Sequence, residues 1–168
     1  QADIRGRAEK LLAEVRLSRR QDVVQAYQSA LAMQGDAARG QQVFIKNCAA
    51  CHRVENQGYE IGPNLAAMRN RGPEAILLNV LDPNREVNPQ YLNYVAITTD
   101  GRSITGMIAA ETATSVTLRR AENQSDTILR SDLDALQSTG QSIMPEGLEK
   151  EISPQAMADL IAYLLSLK

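Results

Sequence analysis

The chain has 168 residues but no tryptophan, one phenylalanine, one histidine and two cysteines. Aromatic residues make up only 4% of it, so a core resting on rings alone would be thin. Neither sign of charge dominates, the net charge being −2, which argues against nucleic acid or an anionic membrane as a partner. Long hydrophobic runs are also lacking. The longest, Leu160 to Leu165 near the C-terminus, is six residues, against the roughly 20 needed to span a bilayer. No secretory leader is visible and the first residue is not Met, so the expectation is a mature form or an excised piece.

What is present concentrates in Cys48-Ala49-Ala50-Cys51-His52, which uses both cysteines and the lone histidine. C-x-x-C-H reads as a c-type haem attachment site, two thiols forming thioethers to the porphyrin and the adjacent imidazole reaching iron. A zinc site would need further ligands, and no third cysteine exists to supply one. A thioredoxin-like pair should lie beside a βαβ pattern, which is missing here. A plain disulfide leaves the register of His52 unexplained. A buried porphyrin would also supply the apolar surface that the composition lacks.

The chain around the motif reads as largely helical. Ile4, Ala8, Leu11, Leu12 and Val15 form a stripe at helical spacing. Ser18 with Gln21 suggests a cap for a second helix, ended by Gly35. Asp36 predicts the start of a helix over 37–47 that delivers Cys48. Gly40 inside it costs about 1 kcal/mol against alanine, so a close helix neighbour is expected there. The last helix is the candidate neighbour. Ser153-Pro154 marks its start, and Tyr163 is placed to meet Gly40 and Phe44. A short helix is predicted over 73–81, stopped by Asp82-Pro83.

Residues 91–133 change character. Strands are predicted at 94–98, 104–109, 116–118 and 127–129, with Asp100-Gly101 as a hairpin turn and a helical turn from Ser131 to Leu136. The expected fold class is therefore mainly α, with a small antiparallel β insertion and an N-terminal helical extension. Residues 1–34 form the extension and 35–168 the haem domain.

With no second histidine, a sixth iron ligand is sought among Met33, Met68, Met107, Met144 and Met157. Met33 and Met157 fall on predicted helices and Met107 in the β insertion, where packing explains them. Met68 follows His52 too closely to wrap the far face of a porphyrin. Met144, in the loop Ser142-Ile143-Met144-Pro145, is the preferred ligand, so His52 and Met144 are the metal candidates. The Pro63 carbonyl in Gly62-Pro63-Asn64-Leu65 is a candidate acceptor for the free ring N–H of His52, although spacing alone suits a plain turn equally well. Arg69 and Arg71 are candidate partners for the porphyrin propionates.

The order Gly40-x-x-x-Phe44, Cys48-Ala49-Ala50-Cys51-His52, Gly62-Pro63-Asn64-Leu65, Met144-Pro145 and a final helix with Tyr163 resembles the class I cytochromes c. The resemblance covers about residues 36–168 less the insertion. It implies a class I cytochrome c fold, Pro63 as acceptor for His52 and Met144 as distal ligand. Leu81-Asp82-Pro83-Asn84, Thr114-Ser115-Val116-Thr117-Leu118 and Met144-Pro145-Glu146-Gly147-Leu148 further resemble the haem-binding domain of planctomycete and verrucomicrobial proteins. Such domains commonly end large secreted proteins, so residues 1–34 would belong to an upstream region.

The functional expectation is one-electron transfer by one covalent haem c with His/Met ligation, not catalysis, in a periplasmic or otherwise extracytoplasmic compartment. Its partners would be redox proteins docking transiently. A homodimer through the N-terminal helices is compatible with the pattern. The alternative is a haem enzyme or gas sensor of peroxidase-like type, which needs an open distal site and an acid-base group there. A third reading makes the β insertion a docking module. Its near-neutral charge argues against nucleic acid in that case too.

Overall fold

A computed structural model of the chain describes residues 20–167. The helix expected over 4–15 and the cap expected at Ser18 lie outside the described residues. Residues 20–26 are helical and run into a 3₁₀ segment, Gln28–Ala32. Helix α1 is Ala37–Asn47, capped by the Asp36 carboxylate, which accepts the Arg39 N–H at 2.8 Å. Helix α2 is Pro73–Leu81. Helix α3 is Pro154–Ser166, and Ser153 Oγ accepts the Ala156 N–H at its start. Pro73 and Pro154 each fill the first turn, where a missing N–H costs nothing.

α3 is apolar on nearly every side, with Met157, Leu160, Ile161 and Leu164 all buried. Such a helix must be surrounded. Phe44 of α1 and Ile76, Leu77 and Leu81 of α2 share one core with it. α1 crosses α3 at Gly40. A Cβ there would lie 1.9 Å from the Asp159 carbonyl oxygen and 2.7 Å from Tyr163 Cβ. One turn on, the Phe44 and Tyr163 rings meet at 5.7 Å between centroids, tilted by 46°.

A buried carboxylate locks this crossing. Asp159 accepts from the Asp36 N–H and from Arg39 Nε and Nη2, each at 2.8 Å, and from Gln155 Nε2 at 3.1 Å. The hydrogen bonds from Arg39 hold the Asp159 carboxyl at about 2, below its ordinary 3.8. A carboxyl depressed in the folded state contributes stability above its unfolded value and loses it as pH falls through the folded one. Urea melts are therefore expected to lose stability between about pH 4 and pH 2. Asp159→Asn should be less stable at pH 7 and should flatten that acid limb. An unchanged limb would remove Asp159 as its cause.

The segment between α2 and α3 overturns the mainly-α expectation. It forms a five-stranded antiparallel sheet: β1 Leu92–Thr98, β2 Ser103–Glu111, β3 Ser115–Arg119, β4 Ser125–Leu129 and β5 Leu133–Ser142, in spatial order β4-β3-β2-β1-β5. The sheet has its own core of Ala96, Val116, Leu118 and Ile128, so the fold is α+β. The helical turn expected from Ser131 to Leu136 is found only as the 3₁₀ turn Arg130–Asp132, and from Leu133 on the chain is already β5. That strand is polar and carries a single β-branched residue, Thr139. Pairing along β1 makes it a strand, from Thr98↔Leu133 to Leu92↔Ser142. The register shifts between Leu92 and Tyr94, opposite Gly140 at φ +68°. A polar edge strand also suits a sheet margin that must not pair further.

Candidate functional site

The Cys-x-x-Cys-His segment continues from α1 as one more tight turn. The Cys48 N–H donates to the Phe44 carbonyl at 2.8 Å, and the His52 N–H to the Cys48 carbonyl at 2.8 Å. The chain then doubles back. Tyr59 donates to the Ala49 carbonyl, and Ile61 and Gly62 both donate to that of Cys51. This return lays Gly62-Pro63 against the imidazole. His52 Nδ1 lies 2.8 Å from the Pro63 carbonyl oxygen. A carbonyl only accepts, so the proton sits on Nδ1 and Nε2 keeps its lone pair. Gly62 makes the approach feasible, because a Cβ there would fall 2.5 Å from His52 Cε1 and 2.8 Å from Nδ1.

Burial pushes the His52 imidazole below its ordinary value, opposed by its bond to Pro63. The ring is therefore neutral near pH 7, the form that ligates a metal. Burial raises both thiols, and Cys48, beside Cys51, is pushed up to about 12. Such groups are neither activated thiolates nor preformed metal thiolates. Among the described residues, no cluster of three or more His, Cys, Asp or Glu side chains could hold an ion. Two neutral thiols and a neutral imidazole in apolar surroundings fit thioether attachment to a large apolar ring better than they fit zinc.

A cavity of about 400 Å³ opens beside these groups. Its walls are largely apolar, including Leu65, Ile76, Val80, Leu160 and Leu164, and it also reaches Pro63 and Met68. A second cavity of about 430 Å³ shares Cys48, Cys51, His52, Ile143, Met144 and Leu148 with the first. Its other side is the sheet: Asn93 of β1, Thr105 and Gly106 of β2, and Arg120 and Ala121 after β3. The hairpin turn after β3 touches the motif directly, the Glu122 N–H donating to the Ala50 carbonyl at 2.7 Å. Glu122 and Asn123 both hold positive φ, at 57° and 60°, a conformation costing roughly 1–2 kcal/mol per non-glycine residue.

The structure thus gathers Cys48, Cys51, His52, Pro63 and Met144 around one hollow. Met68 joins them at the first cavity but does not line the second, whereas Met144 lines both. Arg69 stands apart. Its Nη1 donates to the Leu167 carbonyl at 3.2 Å, and the residue lines neither cavity. Arg71 lines the first cavity, with its side chain largely in solvent. Gly62 as a spacer for the imidazole and Asn84 beside the Met144 loop were not singled out as site residues from the sequence. Gly-Pro is a common turn pair, and a loop asparagine carries no periodic signal.

The sequence profile of the family described as Cytochrome c matches residues 37–168. A cytochrome c-553-like protein of Synechocystis sp. is 37% identical over 76 residues, which cover 39% of this chain and 71% of that protein. The Cbb3-type cytochrome c oxidase subunit FixP of Rhizobium etli is 41% identical over 70 residues, 39% of this chain and 24% of that subunit. The subunit FixPc of Rhizobium leguminosarum bv. viciae is 40% identical over 70 residues, with the same coverage. The chain thus spans about a quarter of the length of the two oxidase subunits it matches.

Proposed function

Since the chain belongs to the cytochrome c family, by its match across residues 37–168, we propose that it is an extracytoplasmic electron-transfer domain with a single haem c. Cys48 and Cys51 would anchor it through thioethers, and His52 and Met144 would ligate its iron. The observation that carries this reading is the 2.8 Å contact of His52 Nδ1 with the Pro63 carbonyl oxygen. It fixes the tautomer and the ring plane of the lone histidine beside both cysteines. When bound, the haem supplies a one-electron change at iron, whose potential imidazole and thioether ligation raises.

The residues of the chain do the rest. Pro63 orients the imidazole and raises its basicity. Leu65, Ile76, Leu160 and Leu164 give the hollow an apolar lining, which would pack against a bound porphyrin and keep water from it. Arg71, at the edge of the first cavity, is the better placed of the two arginines to meet a propionate. Met144 is preferred over Met68 because it alone of the two lines both cavities. His52 and Met144 would hold the iron from the chain's own side chains, leaving no position for a substrate and suiting the domain to electron exchange. Its partners are electron-transfer proteins that dock briefly. No helix among the described residues is long and apolar enough to cross a membrane.

Absorption spectra of the mature protein test the reading. A c-type spectrum is expected on reduction, with a weak far-red sulfur-to-iron band on oxidation. Met144→Ala should abolish that band and Met68→Ala should spare it. Colourless mature protein, or rapid carbon monoxide binding by the reduced wild type, would overturn the assignment.

A further inference from the structure

The segment 142–149, from the last residue of β5 toward α3, carries Met144, and one side chain from elsewhere in the chain grips it on both sides of that residue. Asn84, three residues beyond α2, accepts the Ser142 N–H at Oδ1, 2.8 Å away. Its Nδ2 donates to Glu146 Oε1 at 2.5 Å. The two contacts fall two residues before and two residues after Met144. Within the bracket, the Met144 N–H donates to Ser142 Oγ at 3.1 Å and the Ile143 N–H to the Tyr91 carbonyl at 2.8 Å. The far end of the loop is fastened separately, Arg20 forking onto both oxygens of Glu149 at 3.0 Å and also donating to the Leu81 carbonyl.

The chemistry at position 84 is specific. The Ser142 side needs an acceptor and the Glu146 side needs a donor, and a primary amide supplies both from one planar group. Aspartate would satisfy Ser142 but set a carboxylate against a carboxylate. Alanine would satisfy neither. Asn84 hydrogen-bonds to Ser142 and Glu146, and not to a cysteine, to His52 or to Met144. Its action on the site runs through the backbone on either side of Met144. We propose that Asn84 is the positioning residue for Met144, holding the thioether where it can meet iron. The proposal rests on the reading of Met144 as distal ligand.

The test uses the mature haem-loaded chain and three measurements: amide exchange at Ser142, the far-red band of the oxidised protein, and the rate of carbon monoxide binding to the reduced protein. Asn84→Ala should speed Ser142 exchange on the order of tenfold, as a lost hydrogen bond would. It should also weaken or remove the far-red band and speed carbon monoxide binding on the order of tenfold. Asn84→Asp should do the same. Combining it with Glu146→Gln exchanges donor and acceptor across the pair, and should return all three measurements to near wild-type values. Faster exchange in Asn84→Ala with an unaltered band and carbon monoxide rate would overturn the proposal, since the bracket would then hold the loop without placing the sulfur. Failure of the double variant to recover would overturn it as well. A far-red band that survives Met144→Ala would instead sink the ligand assignment, and the proposal with it, whatever Asn84→Ala does to exchange at Ser142.

Discussion

Gly40→Ala is expected to destabilise the folded chain by about 3 kcal/mol, the upper end of the usual cost of overpacking. Two effects oppose each other. Alanine favours a helix interior over glycine by about 1 kcal/mol, so propensity alone calls for a more stable protein. The new methyl, however, would stand 1.9 Å from the Asp159 carbonyl oxygen and 2.5 Å from its carbonyl carbon. These are backbone atoms inside α3, so no rotamer change relieves the overlap. The helices must move apart by more than an ångström. That would open the Phe44–Tyr163 contact and stretch the three bonds from Asp36 and Arg39 to Asp159. Overpacking of this kind outweighs the propensity gain by a wide margin. A urea melt of the variant beside wild type measures the difference. A variant as stable as wild type would mean that the α1–α3 crossing is looser than described.

Gly62→Ala is the second large effect, and it falls on the site instead of the core. Its methyl would lie 2.5 Å from His52 Cε1 and 3.1 Å from Nε2. The imidazole is buried and held by Pro63, so the ring has to turn or withdraw, and the Nδ1 contact breaks. Losing the outer partner of a metal-binding histidine typically costs 10–100-fold in affinity or activity. The expected outcome is a protein that folds with near-normal helix content but holds iron poorly on the His52 side. The sign would be fast carbon monoxide binding after reduction and a shifted reduction potential. An unaltered spectrum and potential would show that the ring tolerates the displacement and that the Pro63 contact is incidental.

These two glycines mark how far the sequence could be read. Gly40 was legible because it interrupts a helix whose cap, Asp36, and whose partner, beginning Ser153-Pro154, are both local signals. The Cys48–His52 segment was legible as the place where the site gathers because it holds both cysteines and the lone histidine, and all three line the two cavities. Strand β5 was not legible. Its residues favour no particular state, and a partner about forty positions earlier in the chain decides its conformation. That missing strand, with four others longer than expected, turns a small β insertion on a mainly-α chain into the sheet of an α+β fold. Arg69 and Arg71 show the same limit at the site. They sit two positions apart on or beside one 3₁₀ turn, Leu65–Asn70, and only the fold reveals that one meets the chain end and the other the cavity. Asp159 and Asn84 collect polar groups from distant segments, and such convergence leaves no trace in spacing.

The five strands leave the helical frame and return to it at adjacent points, since Leu92 and Ser142 are paired across the base of the sheet. An excursion zipped shut at its root asks little of the frame in loop-closure entropy, because the ends are joined whatever lies between them. Its outer turns, such as those at Gly101 and Thr114, can therefore lengthen, shorten or acquire new side chains over evolutionary time without disturbing the redox centre. The same molecule could be refitted for a different docking surface while its electron-carrying machinery stays as it is.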